Sequence, residues 1–592
     1  MTTQLPVWTF DDAYESLDSP RFTGELELGR QLNQQLLQQL AATPTLDNTT
    51  LLALLPEYEV NFDRLSSLQN FCRCMVSQNM HDKLVEPAQQ QVSEQVILLD
   101  RIGGQLFDYL AELPAGDKLW QDERVKHWHF TVQAQQNQWV LVIPEQKQAV
   151  FERLFVSNFI PLNGLYNKFN KRLRIEVTDS QGKTQSMGLA KCTSIMKGAP
   201  DPLIRANVFR GMADFYAKNQ DVYSDLLNQL HGFRLAQFAE AKMDLLTPSL
   251  QQNRISEPAL AQMYRCIEKR KTRIQDALRL RAGFFGQQQL ATCDLAAPAP
   301  QQQSNDTIDY AQAQEVIQTA LSEVDPELKT FIQMMLDKRW LEASLSDKKL
   351  GGGFYTRFNQ LKQTRVFTTY MGTLAHLLQQ SHELGHAWHY WIMRDLPSIE
   401  TEFPMTLAET ASLFNEAVVR EWLLEHSESD SLRFAILWQE LKSCANFLFN
   451  VSARYDFEIH FLEQRKKGPV TAQENCELME AAWRKWYGDS TVDCDTYLWA
   501  SKLHFYKTDQ YIYNYPYTVG YLISQGLLYE KESRGEDFFV FYKALLRDTG
   551  RMSVDALIRK HCGYDITEST FWDRCLDRAV SYIDTFETSF VK

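Results

Sequence analysis

Residues Thr373 to Trp391 read TLAHLLQQSHELGHAWHYW. Leu374, Leu377, Leu378, Leu384 and Trp388 recur at three- and four-residue spacing, which predicts a helix with a buried face. His382 and His386 lie one helical turn apart, a rise of ~6 Å, so both imidazoles leave the same face. Two histidines on so rigid a support can share one zinc ion. Glu383, offset by ~100°, reaches a metal-bound water rather than the metal. Zinc lowers the pKa of that water toward ~7, and the carboxylate takes its proton as a carbonyl is attacked. Gly385 costs this helix up to ~1 kcal/mol relative to alanine, which points to another backbone coming close.

A His-Glu-x-x-His pattern arises by accident in about 1 or 2 of 100 chains of this size and composition. A third protein ligand is therefore needed, with a fourth position left to water. Residues Glu402 to His426, EFPMTLAETASLFNEAVVREWLLEH, contain a candidate. Pro404 fits the first turn of a new helix, and Leu407, Ala411, Phe414 and Val418 form its core stripe. Glu409 lies off that stripe, and Glu416, seven residues on, lies near the same face. Glu409 is read as the third ligand, and Glu416 as the carboxylate that holds a ligand histidine in its tautomer. The expected cofactor is one zinc ion per chain.

The composition agrees with a large, mainly helical protein. The 592 residues are 44% hydrophobic and 23% charged, an ordinary globular balance that excludes a disordered or fibrous chain. Glycine (25) and proline (19) together make about 7% of the chain against an average near 12%, which favours long helices. A net charge of −14 repels phosphate backbones, so neither nucleic acid nor an anionic membrane is an expected partner. The basic run Arg265, Lys269, Arg270, Lys271, Arg273 reads as one solvated helix face. Ten cysteines without framework spacing fit a reducing compartment. The opening MTTQLPVWTFDDAYES lacks a secretory pattern, and no run of 18 apolar residues occurs. The cytoplasm is the expected location.

Three regions are expected along the chain. Residues 1–120 form an N-terminal helical region, where Leu32, Leu36, Leu40 and Val92, Val96, Leu99 keep helical spacing. Residues 121–198 change texture, and HFTVQAQQNQWVLVIP and RLRIEVTDSQGKTQSMGLA suggest β-hairpins. His127 and His129 form a His-x-His pair there; strand alternation explains them as well as metal binding does, and no third ligand is nearby. Residues 199–592 read as helical to the end, with AAPAPQQQSND, 296–306, as a linker.

These motifs resemble the oligoendopeptidase F branch of the thimet-oligopeptidase-like zinc metallopeptidases. The resemblance rests on HELGHAWH, LAETASLFNE, SDKKLGGGFYTRF and LHFYKTDQYIYNYPYTVGYL, with APDPLIRANVFRGM and LRLRAGFFGQQQLATCDLAAP upstream, in order from about Pro200 onward. It implies a mainly α fold of two largely helical lobes around a deep cleft, and cleavage of short peptides. It also implies His382, His386 and Glu409 as zinc ligands and Glu383 as general base. Gly351, Gly352, Gly353 and Phe354 would line the substrate, since successive glycines let a peptide backbone approach an edge strand. A flexible turn is the plainer reading of that cluster. From the C-terminal block the resemblance implies a histidine and tyrosines that stabilise an oxyanion; His504, Tyr513 and Tyr517 are the expected ones, with Tyr515 in reserve. Two other readings stay open: a zinc carboxypeptidase of similar architecture, and a non-catalytic helical scaffold with a vestigial metal motif.

Overall fold

The computed structural model describes residues 5–42, 46–136, 145–178, 182–300 and 307–591. The fold is mainly α, and among the described residues sheet is confined to five short strands. The chain forms two compact units, each assembled from three stretches. The first comprises Met1–Asn137, Asn305–Leu423 and Glu530–Cys562, the second Gln138–Ser304, Leu424–Tyr529 and Gly563–Lys592.

The first unit begins with a layer of three mutually packed helices, Pro20–Ala42, Asn48–Gln78 and Val85–Glu112. Leu36, Val92 and Leu99 are buried in it, and Leu32, Leu40 and Val96 pack against the same core, as their spacing predicts. Trp8, Phe10, Tyr14 and Phe71 form an aromatic cluster that joins this layer to Phe358 and Phe367 of a small sheet. In that sheet Gln363–Phe367 is central. Leu341–Glu342 runs parallel on one side, and Phe354–Phe358 runs antiparallel on the other, with Phe354 opposite Phe367. The helical reading of 199–592 missed these strands. Their signal is the alternation in FYTRF and QTRVF across a tight turn.

Buried Glu342 secures the approach to the glycine segment. Its carboxylate accepts from Lys349 Nζ at 2.8 Å and from the Ser344 backbone N–H at 2.9 Å, and Lys349 also donates to the Thr368 carbonyl. The edge strand and the central strand both pack on the helix Leu374–Met393. That helix is capped by Thr373, whose side chain accepts from the His376 N–H. Trp388 fixes its far side against Phe331 and Phe539.

The second unit is organised on the 39-residue helix Pro202–Glu240, capped by Asp201. The hairpin Ile175–Thr178 with Thr184–Met187 packs on it, as expected for RLRIEVTDSQGKTQSMGLA; its turn residues 179–181 lie outside the described set. The described part of the other expected hairpin is not a strand. Trp128–Gln136 is a helix, because Trp128, Thr131 and Val132 are buried at i, i+3 and i+4, with Trp128 packed on Tyr58 and Phe107. The remainder of that stretch, 137–144, lies outside the described residues, as does most of the expected linker, 301–306. His127 meets Glu59 and His129 meets Gln133. The basic run is divided between Glu257–Lys269 and Lys271–Gly283 rather than lying on one face. Arg270 pairs with Asp573 and Asp577, and Arg273 with Asp584 and Glu587, so two of its five cations meet the acidic face of Ser569–Phe590. Among the described residues no helix is long and apolar enough to cross a membrane.

Candidate metal centre

His382 and His386 project from one face of Leu374–Met393, with their rings 4.9 Å apart and nearly perpendicular. Glu409 comes from a break rather than from a helix interior. Pro404 caps a single turn, Met405–Ala408, and the helix that follows, Thr410–His426, starts only after Glu409, whose φ and ψ of −86° and 2° are not helical. The sequence reading of one continuous helix from Pro404 is corrected here, although Leu407, Ala411, Phe414 and Val418 are all buried as its stripe requires. The break aims the carboxylate at the histidines. Glu409 Oε2 lies 3.3 Å from His382 Nε2 and 3.5 Å from His386 Nε2. The three ligand atoms fall within 4.8 Å of one another, the one such group among the described residues. Two imidazole nitrogens and a carboxylate oxygen make a donor set that could hold a metal ion.

The contacts behind these atoms hold them in place. His382 Nδ1 faces Glu416 Oε2 at 3.2 Å, and Glu416 is anchored by Arg420 one turn further on. Ser412 Oγ donates to Glu409 Oε2 at 2.7 Å. Tyr355 stacks on the His386 ring at 5.1 Å. Gly385 is glycine because a Cβ there would stand 2.6 Å from the Ala411 carbonyl oxygen and 2.6 Å from Ser412 Cα. The backbone that Gly385 anticipates is thus the segment that follows Glu409.

Charge in the metal-free cluster is shared unevenly. Burial pulls His382 down, but hydrogen bonds and charge from Glu409 and Glu416 outweigh it and raise the imidazole well above its ordinary value. His386, which burial dominates, falls to about 4. Burial opposes ionisation of Glu409, yet the histidines and Ser412 hold it at about 2. A divalent cation would displace the proton on His382, as metal binding to such clusters does. Glu383 is buried beside them. Desolvation, with the Glu409 charge, pushes its carboxyl up to about 7 against His382, Arg73 and the Tyr355 backbone. Gly353 lies directly over it: a Cβ there would be 3.0 Å from Glu383 Oε1 and 2.7 Å from Gln379 Nε2. Phe354 opens the edge strand that follows, and Gly351 and Gly352 precede it in an exposed bend.

In the second unit His504, Tyr513 and Tyr517 come together. Both tyrosine rings lie within 5.6 Å of the His504 ring, and Tyr517 Oη donates to Tyr513 Oη at 2.9 Å. Burial, with the charges of Arg454, Lys502 and Lys507, takes His504 down to about 3, so it is neutral. Ile512 sits at φ +46°, a left-handed conformation costly for a β-branched residue. It turns the chain so that Tyr511 packs on Phe238 while Tyr513 meets His504. Tyr515, held in reserve by the sequence reading, is a packing residue: it is fully buried and donates to the Ser249 carbonyl.

Sequence reasoning missed Ser412, Arg420 and Gln379. Ser412 and Arg420 were legible as Glu409 plus three and Glu416 plus four, the spacing at which helical side chains meet. Gln379 meets Gly353 across tertiary contact and left no local signal.

A helical chain with a His-Glu-x-x-His centre completed by a downstream glutamate is a metallopeptidase-type scaffold. The model of peptidase family M3 matches residues 195–575, and the chain belongs to that family, within its oligoendopeptidase F branch. It is 24% identical over 351 residues to the group B oligopeptidase PepB of Streptococcus agalactiae, covering 57% of this chain and 56% of that protein. It is 24% identical over 326 residues to the oligopeptidase PepF of Bacillus subtilis, covering 54% and 47%. The chain thus matches about half the length of these curated relatives. Its fold is similar to that of oligoendopeptidase F from Enterococcus faecium, with a TM-score of 0.69 at 16% identity over 95% of this chain and 98% of that one.

Proposed function

We propose that this chain is a zinc-dependent oligoendopeptidase that hydrolyses internal bonds of short peptides. The observation that carries the reading is the convergence of His382 Nε2, His386 Nε2 and Glu409 Oε2 on one point beside a buried Glu383. A zinc ion held there supplies Lewis-acid polarisation of a carbonyl and a lowered pKa for water. Glu383 is the general base. Its carboxylate accepts the proton of the attacking water and returns it to the leaving amine. Glu416 and Ser412 orient His382 and Glu409 and keep the donor set preorganised. Gly351, Gly352, Gly353 and Phe354 admit a peptide backbone alongside the edge strand, with no side chain before Phe354 to obstruct it. His504, Tyr513 and Tyr517 are assigned as neutral donors to the oxyanion. Tyr517 spends its proton on Tyr513, which leaves the Tyr513 proton for an outward bond.

The test is hydrolysis of an internally quenched peptide blocked at both ends. Turnover that a chelator abolishes and zinc restores is expected. A carboxypeptidase leaves the blocked peptide intact, and a scaffold takes up no stoichiometric zinc.

A further inference from the structure

Within the first unit the helix Asn48–Gln78 runs antiparallel beside the glycine segment and the edge strand. The Ser77 carbonyl accepts from the Leu350 N–H at 2.9 Å, and Asn70 Nδ2 donates to the Arg357 carbonyl at 2.8 Å. Arg73 lies between these anchors, and its guanidinium carbon stands 4.3 Å over the centre of the Phe354 ring. That ring is held in place, because Phe367 stacks on it at 5.0 Å and Trp8 meets it edge-on. A guanidinium stacked by its face keeps the N–H donors along its edge open. Arg73 is exposed and makes no ion pair among the described residues, in a chain whose net charge of −14 leaves acidic partners plentiful. Two neighbouring cations are occupied, Lys349 by buried Glu342 and Arg357 by Glu402. Gln379, against Gly353 from the metal helix, is neutral.

We propose that Arg73 takes a carboxylate of the peptide substrate and sets a preference for negative charge near the cleaved bond, a role that rests on the peptidase reading and deepens it. Planar, bidentate pairing with a carboxylate is what an open guanidinium edge offers. Gly353, whose added Cβ would stand 3.0 Å from Glu383 Oε1, immediately precedes Phe354, so Arg73 lies on the order of 10 Å from Glu383. An extended peptide advances ~3.3–3.6 Å per residue, which puts the carboxylate within about three residues of the cleaved bond. An acidic side chain and the C-terminus of a short peptide carry the same group, and either one fits the fork.

The test uses full-length, zinc-loaded protein and internally quenched peptides of one length. Glu or Gln is placed at each of three positions on either side of the cleaved bond, and each peptide is made with a free and an amidated C-terminus. Wild type should prefer one carboxylate over its neutral counterpart about tenfold in kcat/KM, chiefly through KM. Preference for Glu at one position identifies a side chain as the source; preference for the free C-terminus over the amide identifies the terminus. The ratio should fall to about one in Arg73→Gln and invert in Arg73→Glu, which should favour Lys at the same position or the amidated end. A residue that merely packs on Phe354 would lower all rates together and invert nothing. No preference in wild type, or a preference that survives in Arg73→Gln, overturns the proposal. If no peptide is cleaved, the peptidase reading fails on its own, and fluorescence anisotropy of the same peptides carries the comparison: binding that favours the carboxylate in wild type but not in Arg73→Gln supports the site, and equal binding overturns it.

Discussion

Replacing Gly385 by alanine sets two effects of opposite sign against each other. In an isolated helix the change stabilises by up to ~1 kcal/mol, since glycine surrenders more backbone entropy. Here the added Cβ would stand 2.6 Å from the Ala411 oxygen, 2.6 Å from Ser412 Cα and 2.9 Å from Ala411 C. All three are backbone atoms, which cannot swing aside as a side chain can. Ordinary contact needs ~3.5–4.0 Å, so the two segments must part by about 1 Å. Overpacking of this kind costs ~1–3 kcal/mol, which exceeds the helical gain and leaves a net loss of about 1 kcal/mol. The larger consequence falls on the metal. The displaced segment carries Ser412 and follows directly on Glu409, and disturbing such supporting contacts weakens metal binding by about 10–100-fold. Urea unfolding of the metal-free protein reads the first effect, and zinc titration against a competing chelator reads the second. A Gly385→Ala protein as stable as wild type, with unchanged zinc affinity, would refute the close approach of the two backbones.

Ser412→Ala removes the 2.7 Å bond to Glu409, and zinc affinity should fall about 10–100-fold in the same competition assay with little change in stability. Tyr513→Phe deletes the phenol proposed as a donor to the oxyanion, so kcat should fall about 10²–10³-fold with KM nearly unchanged; a purely structural role would instead lower stability and spare kcat. Asp548 is buried, which opposes its ionisation, but His561, Lys560 and Arg551 outweigh that and hold its carboxyl well below the ordinary range. A carboxyl depressed on folding stabilises fully above its unfolded pKa of ~3.9 and loses that contribution as pH falls further. Asp548→Asn should therefore cost about 3 kcal/mol near pH 7, and the gap to wild type should narrow below about pH 4 in denaturant titrations.

The histidine pair was legible because a helix writes its geometry into spacing of four, and Gly385 announced a neighbouring backbone before that backbone was known. Glu409 was legible by type and position, but not the break that aims it. Pro404 marks a start, and nothing local says that the turn ends after Ala408. The helix at Trp128 was misread because short apolar runs satisfy either period until burial decides, and burial there depends on Tyr58 and Phe107, far away in the chain. Among the tyrosines from 511 to 521, the left-handed turn at Ile512 sets the register, and no propensity foretells a β-branched residue in that conformation.

Zinc K-edge absorption spectroscopy of the reconstituted protein examines the ligand set most directly. Two imidazole nitrogens at ~2.0–2.1 Å with oxygen from Glu409 and solvent are predicted, with an altered oxygen shell in Glu409→Ala. Sulfur in the first coordination sphere, or a spectrum indifferent to Glu409→Ala, would contradict it.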